Sequence, residues 1–196
     1  MQEKPKLMSD STRTDGKAEI VMDYILSWCL RRAGVNCSDE KPILYDYCRK
    51  MLGLLLDIEM VDNVVFKSVY TWKQSNDIDI WAEIEMECGG NVEYHALLIE
   101  DKYYSALHNK AGTDKNQLEV YKEAFDAYYD KKGAEWKRHY AVVTCLERES
   151  KNFEKFYGAA ADYGFKVYSF YDMLGNKSQY IDSESDIFNE FWLRKW

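Results

Sequence analysis

The order of local signals along the chain predicts an α/β fold of the α+β type, a mixed sheet with helices covering its faces. Three observations carry the prediction. Apolar residues recur at helical spacing in the first quarter of the chain. A strictly alternating segment fills residues 77–87, and a glycine pair at 89 and 90 joins it to a second strand-like segment. Beyond that pair, helical and strand segments follow one another in turn.

Residues 1–16 are polar and mixed in charge and read as a flexible N-terminal tail. Residues 17–196 read as one domain, because there are only two prolines, Pro5 and Pro42, and no Gly/Ser linker or repeat. Residues 18–32 set Ile20, Tyr24, Leu26, Trp28 and Leu30 around helical turns, and Gly34 suits the stop. Residues 40–56 form a second helix, with Ser38 or Asp39 as its N-cap. Residues 64–70 are β-rich. In the alternating segment Ile78, Ile80, Ala82, Ile84 and Met86 share one face, and Asp77, Asp79, Trp81, Glu83, Glu85 and Glu87 share the other. Residues 94–102 continue with Leu97 and Ile99 on one face and Ala96, Leu98, Glu100 and Lys102 on the other.

A helix is predicted over 115–129, stopped near Gly133, then a short buried strand over 139–145. A helix over 150–163 follows, between Ser150 as N-cap and Gly164 as C-cap. A strand over 165–170 and an amphipathic helix over 183–193 close the order α-α-β-β-β-α-β-α-β-α.

A net charge of −8 argues against a protein that coats nucleic acid non-specifically, since phosphate neutralisation dominates such binding. It leaves room for a bound divalent cation or a local basic groove. Lys131, Lys132, Lys137 and Arg138 form a basic cluster around Gly133, read as a solvated helix end and, as the alternative, a surface that tracks phosphates. No apolar run approaches the ~20 residues of a membrane span, and the first residues lack a hydrophobic segment, so the expected setting is soluble and cytoplasmic. The five cysteines are odd in number and form no CxxC pair, which predicts reduced structural thiols. His95 is expected to face the core, while His108 and His139 stand isolated, and none is given a role. Glu83, Glu85 and Glu87 read as a solvated sheet face.

The chemistry centres on the two strands joined by Gly89-Gly90. If these glycines are the central turn residues, Cys88 pairs with Asn91, and a constant sum of paired numbers sets Asp79 opposite Glu100. Their Cβ atoms would then lie about 5 Å apart, an arrangement of like charges that a divalent cation relieves. Lys102, two residues on, shares their face and suits orienting a water or stabilising charge on a phosphate. Asp101 points to the other face, and its backbone carbonyl offers a further ligand.

Asp79, a gap, and Glu100-Asp101-Lys102 at the end of an apolar strand resemble the PD-(D/E)xK nuclease superfamily. Ile78 stands where the superfamily usually has proline. Gln117-Leu118-Glu119-Val120-Tyr121 is similar to the QxxxY pattern of RecB-like members, and Glu19 stands where such members often carry a helical glutamate. The resemblance implies a restriction-endonuclease-like αβββαβ core with flanking helices. It implies hydrolysis of phosphodiester bonds in nucleic acid, DNA first, with Mg²⁺ or Mn²⁺ held by Asp79, Glu100, Asp101 and Glu19. Asp79, Glu100, Lys102, Gln117 and Tyr121 would form the catalytic set. Gln117 and Tyr121, at i and i+4, share one helical face and can reach the sheet edge together. A catalytically silent binding or assembly module of the same fold is the competing expectation, and a second copy of the chain or another protein stays open as a partner.

Overall fold

The computed structural model describes residues 18–75, 78–103, 107–112, 114–133, 135–171, 173 and 181–193. Its elements are α1 (Ala18–Arg32), a 3-10 turn (Val35–Cys37), α2 (Pro42–Leu56), β1 (Val64–Ser75), β2 (Ile78–Cys88), β3 (Asn91–Lys102), α3 (Gln117–Lys132), β4 (Trp136–Thr144), α4 (Lys151–Ala161), β5 (Lys166–Ser169), α5 (Asp186–Phe188) and a π-helical turn (Asn189–Leu193). The class is the mixed α/β one expected, in the expected order. The tail expected over residues 1–16 and the residue Asp77 lie outside the described residues.

One five-stranded sheet runs β1-β2-β3-β4-β5. The first two pairings are antiparallel, and β3–β4 and β4–β5 are parallel. Each parallel step needs a crossover, and α3 and α4 supply them. The β2–β3 ladder has the predicted register, from Cys88 opposite Asn91 to Ile80 opposite Ile99. Gly89 and Gly90, at φ 56° and 85°, take the left-handed conformation that a two-residue hairpin demands. Being central, β3 is buried without a break from His95 to Lys102.

Two cores flank the sheet. One joins α1, α2 and the C-terminal turn to residues such as Phe66, Ile80, Ile84, Leu97 and Ile99. The other joins α3 and α4 to Trp81, Ala96, Leu98 and Val142. Leu97 and Ile99 thus face away from Ala96 and Leu98, as the alternation requires.

Local corrections concern ends and edges. Helix α2 begins after Lys41 with no side-chain cap, not at Ser38 or Asp39; Pro42 at its first position has φ already fixed and no N–H to satisfy. Ser150 does cap α4, accepting from Phe153 N–H at 3.1 Å, but that helix ends at Ala161 with Asp162 as its C-cap, and Gly164 (φ 80°) makes the turn beyond it. The terminal helix over 183–193 is only the short α5 and a π-helical turn. Asn189 binds back to Ser183 and Asp182, and the turn buries Phe188, Phe191 and Trp192 in the first core. Ile78 joins the second core instead of the face of Ile80. Continued pairing would direct the Asp101 N–H at Ile78, but the Asp79 carboxylate takes it at 3.0 Å, so the pleat is not held there. On α1, Ile20 and Tyr24 are exposed.

Candidate metal and active site

The site forms where β2 and β3 part, between the N-terminal half of α1 on one side of the sheet and the first turn of α3 on the other. Asn116 caps α3 by accepting the Leu118 N–H at 2.9 Å. The loop before it is closed by Gln117 N–H to His108 O (3.1 Å) and Lys110 N–H to Lys115 O (2.9 Å). These bonds set Gln117 at the end of β3, where its amide donates to Glu100 Oε1. The Lys102 ammonium pairs with the same oxygen. The β2–β3 ladder ends at Ile80 opposite Ile99, and just beyond it the Asp79 carboxyl group comes close enough to act on that of Glu100.

Asp101 faces α1. It was expected to offer its backbone carbonyl, yet its carboxyl group sits in a cluster with Asp79 and Asp23, whose oxygens all lie within 4.8 Å of one another. An odd residue of β3 must face the α1 side, and Asp23 comes down onto it from the helix. Glu19, one turn earlier, accepts the Tyr103 N–H at 3.0 Å and so fastens α1 to the end of β3. The structure therefore gathers Asp79, Glu100, Asp101 and Lys102 as expected, with Glu19 and Gln117 beside them. Tyr121 is on the same helical face as Gln117, but its hydroxyl meets Lys110 Nζ at 3.3 Å, and that ammonium stands 4.9 Å from the ring centre.

Acceptors outnumber donors here. Glu100 is 2% and Asp101 1% exposed, and Gln117 is equally buried. Among the described residues Glu100 Oε2, Asp101 Oδ2 and Gln117 Oε1 find no hydrogen-bond donor. A buried carboxylate without partners is costly; it takes up either a proton or a cation. The titration of the groups reflects that choice. Burial, then the charge of Asp79, raises Glu100 to about 8, against the pull of Lys102. Burial, then Asp23 and Asp79, raises Asp101. Burial alone would lower Lys102, but the charge and hydrogen bond of Glu100 outweigh it and raise its pKa. Tyr121 is raised by burial and by Glu100, with Lys110 opposing.

Asp23 and Lys110 escaped the sequence reading. Asp23 did leave a signal: it follows Glu19 at i+4, on one helical face, as a poor helix former among Met22, Ile25 and Leu26. Lys110 left none, since only the loop closure brings it to Tyr121. Three of the four residues of the basic cluster pair with the chain's own acids. Lys132 pairs with Glu83, Lys137 with Glu93 at 2.8 Å, and Arg138 with Asp126 and Asp130 at 3.2 and 2.6 Å. His139 is not isolated: its Nε2 lies 3.0 Å from Nδ1 of the buried His95. The cysteines are free thiols. Among the described residues no helix is long and apolar enough to cross a membrane.

No family model, no curated protein and no solved structure matches the chain.

Proposed function

We propose that this chain is a metal-dependent nuclease that hydrolyses phosphodiester bonds of nucleic acid, DNA first, as a single cytoplasmic domain spanning residues 17–196. The observation that carries the proposal is the buried excess of carboxylate oxygen beside one ammonium. Asp23, Asp79 and Asp101 lie within 4.8 Å, and Glu100 and Lys102 adjoin them. An all-oxygen donor set with partnerless buried oxygens fits a hard divalent cation such as Mg²⁺ or Mn²⁺. Asp79, Asp101 and Asp23 would hold it, with Glu100 and Glu19 at its margin. When bound, such an ion supplies a polarised phosphate oxygen and a water of lowered pKa.

The chain's own groups do the rest. Lys102 keeps its proton, because Glu100 outweighs the burial of its ammonium. It can therefore donate hydrogen bonds to charge developing on the phosphate. Gln117 holds Glu100 in one orientation through Oε1, leaving Oε2 buried and, among the described residues, without a donor. Tyr121, close enough to feel the charge of Glu100, and Lys110 beside it would offer a hydroxyl and an ammonium to the sugar–phosphate backbone.

The test is Mg²⁺- and Mn²⁺-dependent cleavage of single-stranded, double-stranded and nicked DNA, with chelator as control. Asp79→Ala should fall to background on every substrate cut by the native chain. Cleavage surviving in Asp79→Ala would sink the assignment. A second reading, a catalytically silent binding module, draws on one observation: Lys132, Lys137 and Arg138 spend their charge on the chain's own acids. Metal binding without cleavage of any substrate would select it.

A further inference from the structure

A row of polar side chains at i, i+4 spacing runs along α1: Glu19, Asp23, Ser27 and Arg31. The first two belong to the acid-rich end of the row. The last two meet the edge strand β1. Ser27 Oγ lies 2.9 Å from Thr71 Oγ1, and Arg31 Nη1 donates to Ser27 Oγ at 2.6 Å and to Thr71 Oγ1 at 2.5 Å. Thr71 stands opposite Ala82, which belongs to the core that α1 covers. Opposite residues of an antiparallel pair point to the same side, so this triangle lies on the α1 side of the sheet, the side of Asp23 and Asp101. The Arg31 side chain runs back one turn, as helical side chains do, and this takes its guanidinium away from the C-terminal carbonyls of α1.

Donors outnumber acceptors in the triangle. A guanidinium carries five N–H groups, and the hydroxyls take two of them. With Ser27 as donor in the hydroxyl pair, Thr71 keeps its own hydrogen for an outside acceptor. Among the described residues no carboxylate meets Arg31, whereas its neighbour Arg32 pairs with Glu40. Arg31 is exposed, but Ser27 is buried between α1 and β1. Two hydroxyls thus hold an exposed guanidinium in one place. A planar fork so held suits a phosphate, whose oxygens can take two N–H groups at once. The Ser27–Thr71 bond already joins α1 to β1, so the charge is not needed for that joint.

The distance to the acid cluster fits a polymer. Asp23 is one turn before Ser27, about 6 Å along the helix. Ala82 is three residues from Asp79, about 10 Å along β2. At about 3.4 Å per nucleotide in a stacked strand, that gap is two or three linkages.

We propose that Arg31, set by Ser27 and Thr71, binds a phosphate of the nucleic-acid substrate two or three linkages from the bond cut at the acid cluster. The proposal rests on the nuclease reading for the bond that is cut, but the binding itself needs no cleavage. A chain of net charge −8 does not hold nucleic acid by a broad basic surface, so one placed cation sets the register of the strand on the cluster.

Two measurements on the full chain test it. The first is fluorescence anisotropy with fluorescein-labelled dT12 in EDTA, over 50–200 mM salt. Arg31→Gln should bind about tenfold more weakly than native, the scale of a charge-assisted contact. The slope of log affinity against log salt should fall by about 0.7. Arg31→Lys keeps the charge without the fork and should retain part of the affinity. The second is a cleavage map in Mn²⁺ on end-labelled dT12 carrying one neutral methylphosphonate linkage at a time. In the native chain each neutral linkage should suppress the cut two or three linkages away, on one side only. In Arg31→Gln that suppression should vanish, with KM raised about tenfold and the smaller share of the loss in kcat. Circular dichroism verifies each fold, and Arg31→Lys carries both measurements if Arg31→Gln does not fold. Native affinity and salt slope in Arg31→Gln overturn the subsite, as does a neutral linkage that suppresses the same cut in both chains. Binding that depends on Arg31 in a chain that cleaves nothing keeps the subsite and removes the nuclease. Cleavage that depends on Asp79 and ignores Arg31 keeps the nuclease and overturns the subsite.

Discussion

Strand β3 buries polar groups at both of its ends, and the two ends are built differently. Near the hairpin, the Lys137 ammonium meets Glu93 at 2.8 Å, Glu93 meets His95 at 3.2 Å, and His95 meets His139 at 3.0 Å. That is a run of groups in which each finds a partner in the protein. At the far end, Glu100, Asp101 and Gln117 leave three buried oxygens without a donor. Burial of polar side chains therefore does not by itself distinguish a site from a support. The balance of donors and acceptors does: a matched network is complete, whereas an excess of acceptors calls for a cation or for protons.

The strongest way to break this contrast is by activity. Glu100→Ala should bring metal-dependent cleavage to background, while His95→Gln, if folded, should stay within about twofold of native at neutral pH. Initial rates on a labelled oligonucleotide decide it; comparable losses from both substitutions would erase the distinction. Lys102→Ala should cost about 10² in rate, the scale of one lost transition-state donor. It should leave metal binding in place, and a calorimetric titration with Mn²⁺ separates the two effects.

Stability sharpens the comparison further. A ligand at about a hundred times its dissociation constant stabilises the folded state by about 2.7 kcal/mol. In a chain of this size that corresponds to a rise of roughly 5–10 °C in Tm. Mn²⁺ should produce such a rise in the native chain and none in Asp79→Asn. Asp79→Asn should also be slightly more stable than native without metal, because it removes a charge facing Glu100 and Asp101. An equal Mn²⁺ shift in both proteins would place the ion elsewhere.

The smallest effect belongs to the histidine end. Burial, then His95 and Lys166, lowers His139 to about 4, with Asp57 opposing. Burial also lowers His95, with Glu93 opposing. Between about pH 6.5 and 4 the unfolded chain takes a proton that folded His139 refuses, so the unfolded state binds more protons and stability falls as pH drops through that window. The loss should be about 1 kcal/mol, less than the full shift implies because His139 is only partly buried. Urea unfolding at pH 7 and pH 4.5 measures it, and His139→Gln should reduce the difference. An unchanged difference would show that other groups set the acid limb.

How much of this was legible before folding depended on range. Residues 77–102 carried their own register, since a two-residue glycine turn leaves a single in-phase pairing and the alternation then assigns faces. Asp79, Glu100 and Lys102 could be brought together from that alone. The N-cap at Ser150 was equally local, because a hydroxyl reaching the N–H three residues on needs no distant partner. Asp101 was misjudged for the opposite reason. Its face was read correctly, but the value of that face depended on α1, 78 positions away from it at Asp23, docking there with its own carboxyl group.

The sequence by itself determined the periods, the order of elements, the central hairpin and the acids on its strands, because each of these follows from bond geometry and from neighbours a few residues apart. Only the tertiary structure decided which acids were gathered into one buried cluster with unpartnered oxygens. Glu83 lies under α3 with Tyr129 and Lys132 to satisfy it, whereas Asp79 and Glu100 lie where two helices close over the strand ends and bring in Asp23 and Gln117. Burial and partner number are set by what packs on a face, and that is fixed by contacts between segments far apart in the chain.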